Sequence, residues 1–376
     1  MSKLAWIVVA VFCVVVASVS VNWFGRLGIV NSSANKTSQT LSASFVSDRR
    51  CADCHGDEAA LHAKSGHAHT YRPGDDAEIV AALDGTEFTD PYRGTIFKYE
   101  HRPGKGMFVS LDDNPDAEFR LQYALGSGQN AITFMTLVAD DYGDSLGLEH
   151  RVSLYRTLDD GFELGLTPGQ SSLQVRTAID RFGRSMRGDA LDECIGCHTV
   201  DFDFAGDALR GLQPHVGCQS CHGPGAAHIA SCEGTLTDDE FSYATPAHGK
   251  MELDMCGKCH RLPLSSGPVP QEQSVQNVRF QPGSLMMSEC CKQSESLSCS
   301  TCHDPHGPVS RETQHYEDRC LSCHGGASQT PCPVSPRENC VGCHMPATTV
   351  HRRISFHDHW IRIPSDSSQS RTGDSE

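Results

Sequence analysis

The longest apolar run stands at the start of the chain. Leu4 to Phe24 carries no charge over 21 residues, between Met1-Ser2-Lys3 and Gly25-Arg26. That is long enough to cross a bilayer as a helix. Small residues at Val16-Ala17-Ser18 and Ser18-Val19-Ser20 offer a cleavage site, so a removed signal peptide is the alternative to an N-terminal transmembrane anchor. Either reading exports the rest of the chain. Residues 31 to 47 are rich in Ser, Thr, Asn and Gln and read as a flexible linker.

Further along, the pattern changes. Asp57 to Lys64 reads as a short helix. Between 88 and 170 come short, partly alternating runs: Thr95–Tyr99, Met107–Leu111, Glu118–Tyr123, Ile132–Val138, Arg151–Tyr155 and Phe162–Leu166. Gly, Pro and Asp separate them, a strand-and-turn texture. Gly126-Ser127-Gly128 sits between two such runs and reads as a turn, not a phosphate loop. Ser172 to Arg187 predicts a helix with Leu173, Ala178, Ile179 and Phe182 on its apolar face. Beyond that, apolar runs are short and turns frequent.

These patterns divide the chain into a signal-anchor or transmembrane segment (1–26), a linker (27–47), a first short segment (48–87), a small β-rich insert (88–170), a larger domain (171–363) and a polar tail (364–376). The expected fold class is mainly α with much irregular loop, organised by covalent groups rather than by a large apolar core.

The chemistry lies in one stretch written seven times, Cys-x-x-Cys-His. It runs Cys51–Cys54–His55, Cys194–Cys197–His198, Cys218–Cys221–His222, Cys256–Cys259–His260, Cys299–Cys302–His303, Cys320–Cys323–His324 and Cys340–Cys343–His344. With 19 Cys and 20 His in 376 residues, random order gives roughly 0.05 such matches. Zinc sites place their second ligand pair well downstream, without a His fixed beside each pair. A redox dithiol occurs once. Repetition at this spacing is the attachment signal for c-type haem: two thiols bond one porphyrin and the adjacent imidazole takes its iron. Seven covalent haem c groups are therefore expected. The insert separates the first from the second, and the later six crowd into one array. From Cys194 the motif starts are 24, 38, 43, 21 and 20 residues apart, room for a helix and a turn each.

Composition agrees. Hydrophobic residues make up 38% and aromatics 7%, low for this length, and haem would supply the missing apolar bulk. The net charge of −16 argues against nucleic acid and against an anionic membrane surface as partner. Five cysteines lie outside the motifs: Cys13, Cys232, Cys290, Cys291 and Cys332. In an oxidising compartment Cys290 and Cys332 are the expected disulfide, with Cys291 a competitor.

Thirteen histidines remain after the proximal seven, enough for a second imidazole on every iron. His67, in Ser65-Gly66-His67, can reach its own haem or a neighbour's. His62 and His69 are weaker candidates. His228 follows Cys221-His222-Gly223-Pro224-Gly225, and His306 follows Cys302-His303-Asp304-Pro305. Their Pro and Gly turns swing the next His away from its own haem. His351, His357 and His359 close the series. His215, His248 and His315 are unranked, and His101 and His150 are expected at the surface.

These residues resemble the multihaem cytochromes related to cytochrome c-554 and, more distantly, hydroxylamine oxidoreductase and pentahaem nitrite reductase. The resemblance covers Cys51 to Ile363. Its most specific pieces are Ser65-Gly66-His67, Leu125-Gly126-Ser127-Gly128, Cys221-His222-Gly223-Pro224-Gly225, Cys302-His303-Asp304-Pro305-His306, Cys343-His344-Met345-Pro346 and Phe356-His357-Asp358-His359. It implies that His67, His228, His306 and His359 are distal ligands. Where that family usually has an aromatic residue, this chain has His62.

Two functions lead, with a structural or docking subunit using the β-rich insert as a third. The first is an electron carrier on the periplasmic face of a bacterial membrane, serving a quinol-oxidising membrane module or a terminal reductase. The second is a reductase or oxidase of nitrite, hydroxylamine or a sulfur oxyanion at one haem with an open distal face. No motif has Lys in place of the proximal His, the nitrite-reductase marker, and Tyr243 and Tyr316 are the tyrosines within the haem region.

Overall fold

The computed structural model describes residues 44–235, 249–261, 278, 280–326, 332–335, 337–351 and 354–363. One compact unit holds the described residues of 47–223 and 249–363, and another holds 44–46 and 224–235. Cys13, Tyr243, His248, the 1–26 segment read as an anchor and the 364–376 tail lie outside the described residues.

The described chain is about 32% helix and 29% strand, so it is not mainly α. Strands begin before the expected insert and continue after it. They are β1 (Tyr71–Pro73), β2 (Glu87–Thr89), β3 (Ile96–Arg102), β4 (Gly106–Leu111), β5 (Asn114–Arg120), β6 (Tyr123–Leu125), β7 (Ala131–Ala139), β8 (Ser145–Arg156), β9 (Phe162–Leu166), β10 (Gly183–Met186), β11 (Thr199–Ala205), β12 (Ala208–Pro214), β13 (Ala347–His351) and β14 (Ile354–His357). Among the described residues, no helix is long and apolar enough to cross a membrane, and the transmembrane-helix expectation gains no support.

An antiparallel sheet runs β1-β6-β7-β8-β10, with β9 also on β8, and a second runs β2-β3-β4-β5. Alternation along β7 explains how the first sheet is used on both faces. Ile132 and Phe134 join a core with Phe97, Val109, Leu148 and Leu154, closed by Ile79 and Leu83 of the helix Ala77–Leu83. Met135 and Leu137 face a second cluster with Tyr71, Leu125, Leu191 and Ile195. Leu191 and Ile195 belong to the helix Asp189–Gly196, which carries Cys194. The sheet thereby fixes the second motif.

The helix expected over 172–187 is replaced by a single 3-10 turn, Ile179–Arg181, and by β10. Two local features decide this. The Asp180 carboxylate accepts from the backbone N–H of Arg176 and Thr177, a turn that competes with helix. At Gly183 an added Cβ would lie 2.0 Å from the Glu149 carbonyl oxygen, so glycine lets the chain close onto β8. Between the second and third motifs the link is the β11–β12 hairpin, not a helix.

His150, expected at the surface, is instead buried in β8, 3% exposed. Its Nε2 meets the Thr136 hydroxyl at 2.7 Å, and burial pushes its pKa down to about 3. An inward-pointing strand position carries it, in step with Val152 and Leu154. His101 is half-buried in β3.

Candidate haem-binding site

Each motif forms a short helical turn that presents its two thiols and imidazole together. Cys218–His222 and Cys340–His344 are single-turn helices, and Lys250–His260 and Thr313–His324 are longer helices ending on their motifs. All 14 motif thiols are half-buried or exposed. Cys291, outside the motifs, is buried with Leu253 and Leu285. An unreactive cysteine normally seeks the core. The motif thiols instead line faces that a porphyrin could cover.

The imidazoles pair across the sequence. His67 lies opposite His260, ring centroids 6.2 Å apart with planes at 72°. His222 lies opposite His306 at 6.1 Å and 3°. His303 lies opposite His359 at 6.2 Å and 30°. A metal bonded to one nitrogen of each of two imidazoles, at about 2 Å per bond, holds the ring centroids roughly 6 Å apart. These three separations therefore fit an iron between each pair. His67 faces the fourth motif rather than its own, and His306 faces the third.

The other ring nitrogens support the same fit. A metal-bound His usually donates its second N–H to a carbonyl, which fixes the tautomer. His198 Nδ1 donates to the Thr70 carbonyl (3.0 Å), His344 Nδ1 to that of Arg362 (2.8 Å) and His359 Nδ1 to that of His357 (2.9 Å). In each, Nε2 remains for a metal. His62, His69 and His315 do the reverse, donating Nε2–H to the carbonyls of Val216, Ala63 and Cys302. His357 resembles the first group, with Nδ1 bonded to the Met345 carbonyl at 2.7 Å. His303 Nδ1 and His215 Nδ1 are buried without a hydrogen-bond partner.

Burial favours the neutral form of several of these rings, the form that can ligate. Burial lowers the pKa values of His67, His198, His222, His260 and His303, aided at His67 by His260 and at His222 by His306. His359 is pushed down to about 4, chiefly by burial. Burial raises the Cys218 thiol to about 12 and the Cys320 thiol to about 11.

Thr70 ties two of these groups together. Its hydroxyl donates to the carbonyls of His67 and His198, both at 3.1 Å, and accepts the Val216 N–H at 3.0 Å. Glu252, 6% exposed, anchors the loop before the fifth motif. It accepts from the hydroxyls of Ser298 and Ser300 and from the Ser300 N–H, at 2.6 to 2.8 Å. Neither Thr70 nor Glu252 stands out in the sequence, because nothing local marks a partner over 40 positions away.

His228 lies in the other unit, on the helix Ala226–Cys232, with Cys232 Sγ 3.7 Å from its Nδ1. The expected Cys290–Cys332 disulfide is not formed, and both are unbonded thiols. Cys290, on the helix Glu289–Gln293, lies within the electrostatic reach of Cys291 and Cys323, while Cys332 is near Cys340. Tyr316 packs its ring 5.5 Å from His303 and donates its hydroxyl to the Ser310 carbonyl.

No family model matches the chain. It is 23% identical over 203 residues to the multihaem cytochrome MtrA of Shewanella baltica (strain OS185), covering 42% of this chain and 59% of that protein. It is 24% identical over 204 residues to the dissimilatory sulfite reductase MccA of Wolinella succinogenes, covering 41% of this chain and 27% of that protein. The chain thus spans little more than half of one relative and about a quarter of the other. Among solved structures, the undecahaem cytochrome from the S-layer of Carboxydothermus ferrireducens superposes with a TM-score of 0.42 at 14% identity, covering 86% of this chain and 52% of that one. The outer cell wall cytochrome OcwA gives 0.47 at 16% identity, with 85% and 79% covered. The repeated motifs and the sequence relatives together support one class, a multihaem c-type cytochrome.

Proposed function

We propose that this chain is an exported heptahaem cytochrome that passes electrons along mostly bis-His haems. The observation that carries the reading is the set of three opposed imidazole pairs at 6.1 to 6.2 Å. In it, the 14 motif cysteines hold the porphyrins and the seven motif histidines are proximal ligands. His67 serves the haem of the fourth motif, His306 the third and His359 the fifth. His228 is a further distal ligand by resemblance to the cytochrome c-554 group.

When bound, each haem supplies a one-electron iron couple whose potential follows its axial ligands and burial. The chain's own residues do the rest. Two imidazoles, as in the His67–His260, His222–His306 and His303–His359 pairs, would hold the iron and leave no place for substrate. Carbonyls such as those of Thr70 and Arg362 hold the rings in one tautomer. Differences in burial then set differences in potential, about 59 mV per tenfold change in equilibrium. The acidic chain suits a redox partner with a basic docking face, either a quinol-oxidising membrane module or a terminal reductase.

A second reading is an enzyme with one open haem. Its support is the partial similarity to a sulfite reductase, which makes a sulfur oxyanion the first substrate to try, ahead of nitrite and hydroxylamine.

One experiment separates the two readings: EPR of the oxidised protein, with haem counted by pyridine haemochrome on the same sample. Seven low-spin ferric haems support the carrier. A high-spin signal worth one haem in seven supports the enzyme. Absence of covalent haem overturns both.

A further inference from the structure

We infer that the haem sites do not follow sequence order in space: the line runs first, third, fourth, fifth, sixth, seventh, and the second site joins at the fourth as a side branch. The inference rests on the proposed heptahaem function and deepens it.

The contacts between motifs carry the order. The helix Asp48–Ala52 packs on Cys218–His222, and the Cys51 and Cys218 thiols lie with the Asp48 carboxylate within 4.8 Å of one another. Gly217 permits that approach, since a Cβ there would meet Asp48 Oδ2 at 2.2 Å. The first motif thus abuts the third, across the whole insert. Cys221 of the third motif lies within electrostatic reach of Cys256 and Cys259 of the fourth. The Cys256 thiol, the Cys299 thiol of the fifth and the Glu252 carboxylate again lie within 4.8 Å of one another, and Lys250–His260 packs on Cys299–Thr301. The Cys302 carbonyl accepts from His315 Nε2 at 3.2 Å, on the helix Thr313–His324 that ends on the sixth motif, and that helix packs on Cys340–His344 of the seventh.

The second motif meets this line from the side: it reaches the fourth, and β11, which follows it, packs on the helix of the third. Its Cys197 thiol donates to the carbonyl of Lys258, inside the fourth motif, at 3.9 Å. Its other side belongs to the sheet, through Leu191 and Ile195. Among the described residues, the thiol contact of the second motif is to the fourth, through Cys197 and Lys258. The fourth therefore has three neighbours and acts as a junction. Each step moves one electron from a reduced site to an oxidised neighbour, so the branch is a separate point where electrons enter or leave the line.

The test is to locate the irons of the purified holoprotein by anomalous diffraction at the iron edge. The expected result is an iron of the fourth motif flanked by those of the second, third and fifth, with the third between first and fourth. Seven irons in which the second lies between the first and third overturn the branch and leave the haem reading intact. Fewer than seven haem irons overturn the heptahaem reading, and the branch with it.

Discussion

His222 and His306 face each other with ring centroids 6.1 Å apart and planes only 3° from parallel. His67 and His260 hold nearly the same separation at 72°. Imidazole planes select which iron d orbital lies highest. Parallel planes split the two π-type orbitals, and crossed planes leave them nearly degenerate. The oxidised protein is therefore expected to give at least two classes of low-spin EPR signal: a well-resolved rhombic one from the third haem and a strongly axial one from the fourth. A spectrum with the rhombic class alone would contradict the crossed His67–His260 geometry.

His67→Ala tests the same pair from the other side. The strongly axial signal should vanish and a high-spin signal worth about one haem should replace it. The rhombic signal of the His222–His306 pair should be unchanged. If instead the haem on Cys51 and Cys54 changes, His67 serves its own motif.

His306→Met exchanges an imidazole for a thioether. Met-His ligation raises the potential relative to bis-His. A redox titration should show one couple moving up by more than about 59 mV, a tenfold shift in its equilibrium, with six couples moving little.

His150 supplies a pH dependence independent of haem. Its folded pKa is about 3, well below the ordinary histidine value, so the unfolded chain binds the proton first as pH falls. Its contribution is complete above the unfolded pKa and is lost below it, down through the folded one, at up to about 1.4 kcal/mol per pH unit. Hydrogen exchange in β7 and β8 should quicken between pH 7 and pH 5, once corrected for the intrinsic pH dependence of exchange. In His150→Gln that pH dependence should flatten.

Glu252→Ala removes an acceptor that serves three donors around Ser298 and Ser300. Hydrogen bonds to a charged group contribute about 1.5–3 kcal/mol each, and the donors left behind are part-buried. A drop in melting temperature is expected, with the fifth haem's signal broadened first. An unchanged melt would mean that water replaces the carboxylate at no cost.

The sequence is legible where its signals are local. The thiol spacing within each motif, and the alternation of runs such as Ile132–Val138, both act over a few residues, and all six apolar runs of the insert fall within or overlap strands. What stays hidden depends on distance. The sheet recruits β1 and β10 from outside 88–170, and the Ser172–Arg187 stretch yields its helical pattern to Asp180 and Gly183. Parity with Val152 and Leu154 is the signal that places His150 inside. Which iron His67 or His306 serves is written in no local pattern, because each partner lies on another motif.

The crossing of His67 to His260 also bears on how the protein is made. On the proposed export of the chain, the fourth motif would leave the translocation pore nearly two hundred positions after His67. Haem attachment requires thiols that are still accessible on an unfolded chain. The early segment must therefore wait, unpaired, until the later one has been loaded. Contacts so distant in sequence slow folding, and on the proposed haem reading that delay would keep His67 from closing over the fourth motif before its porphyrin arrived.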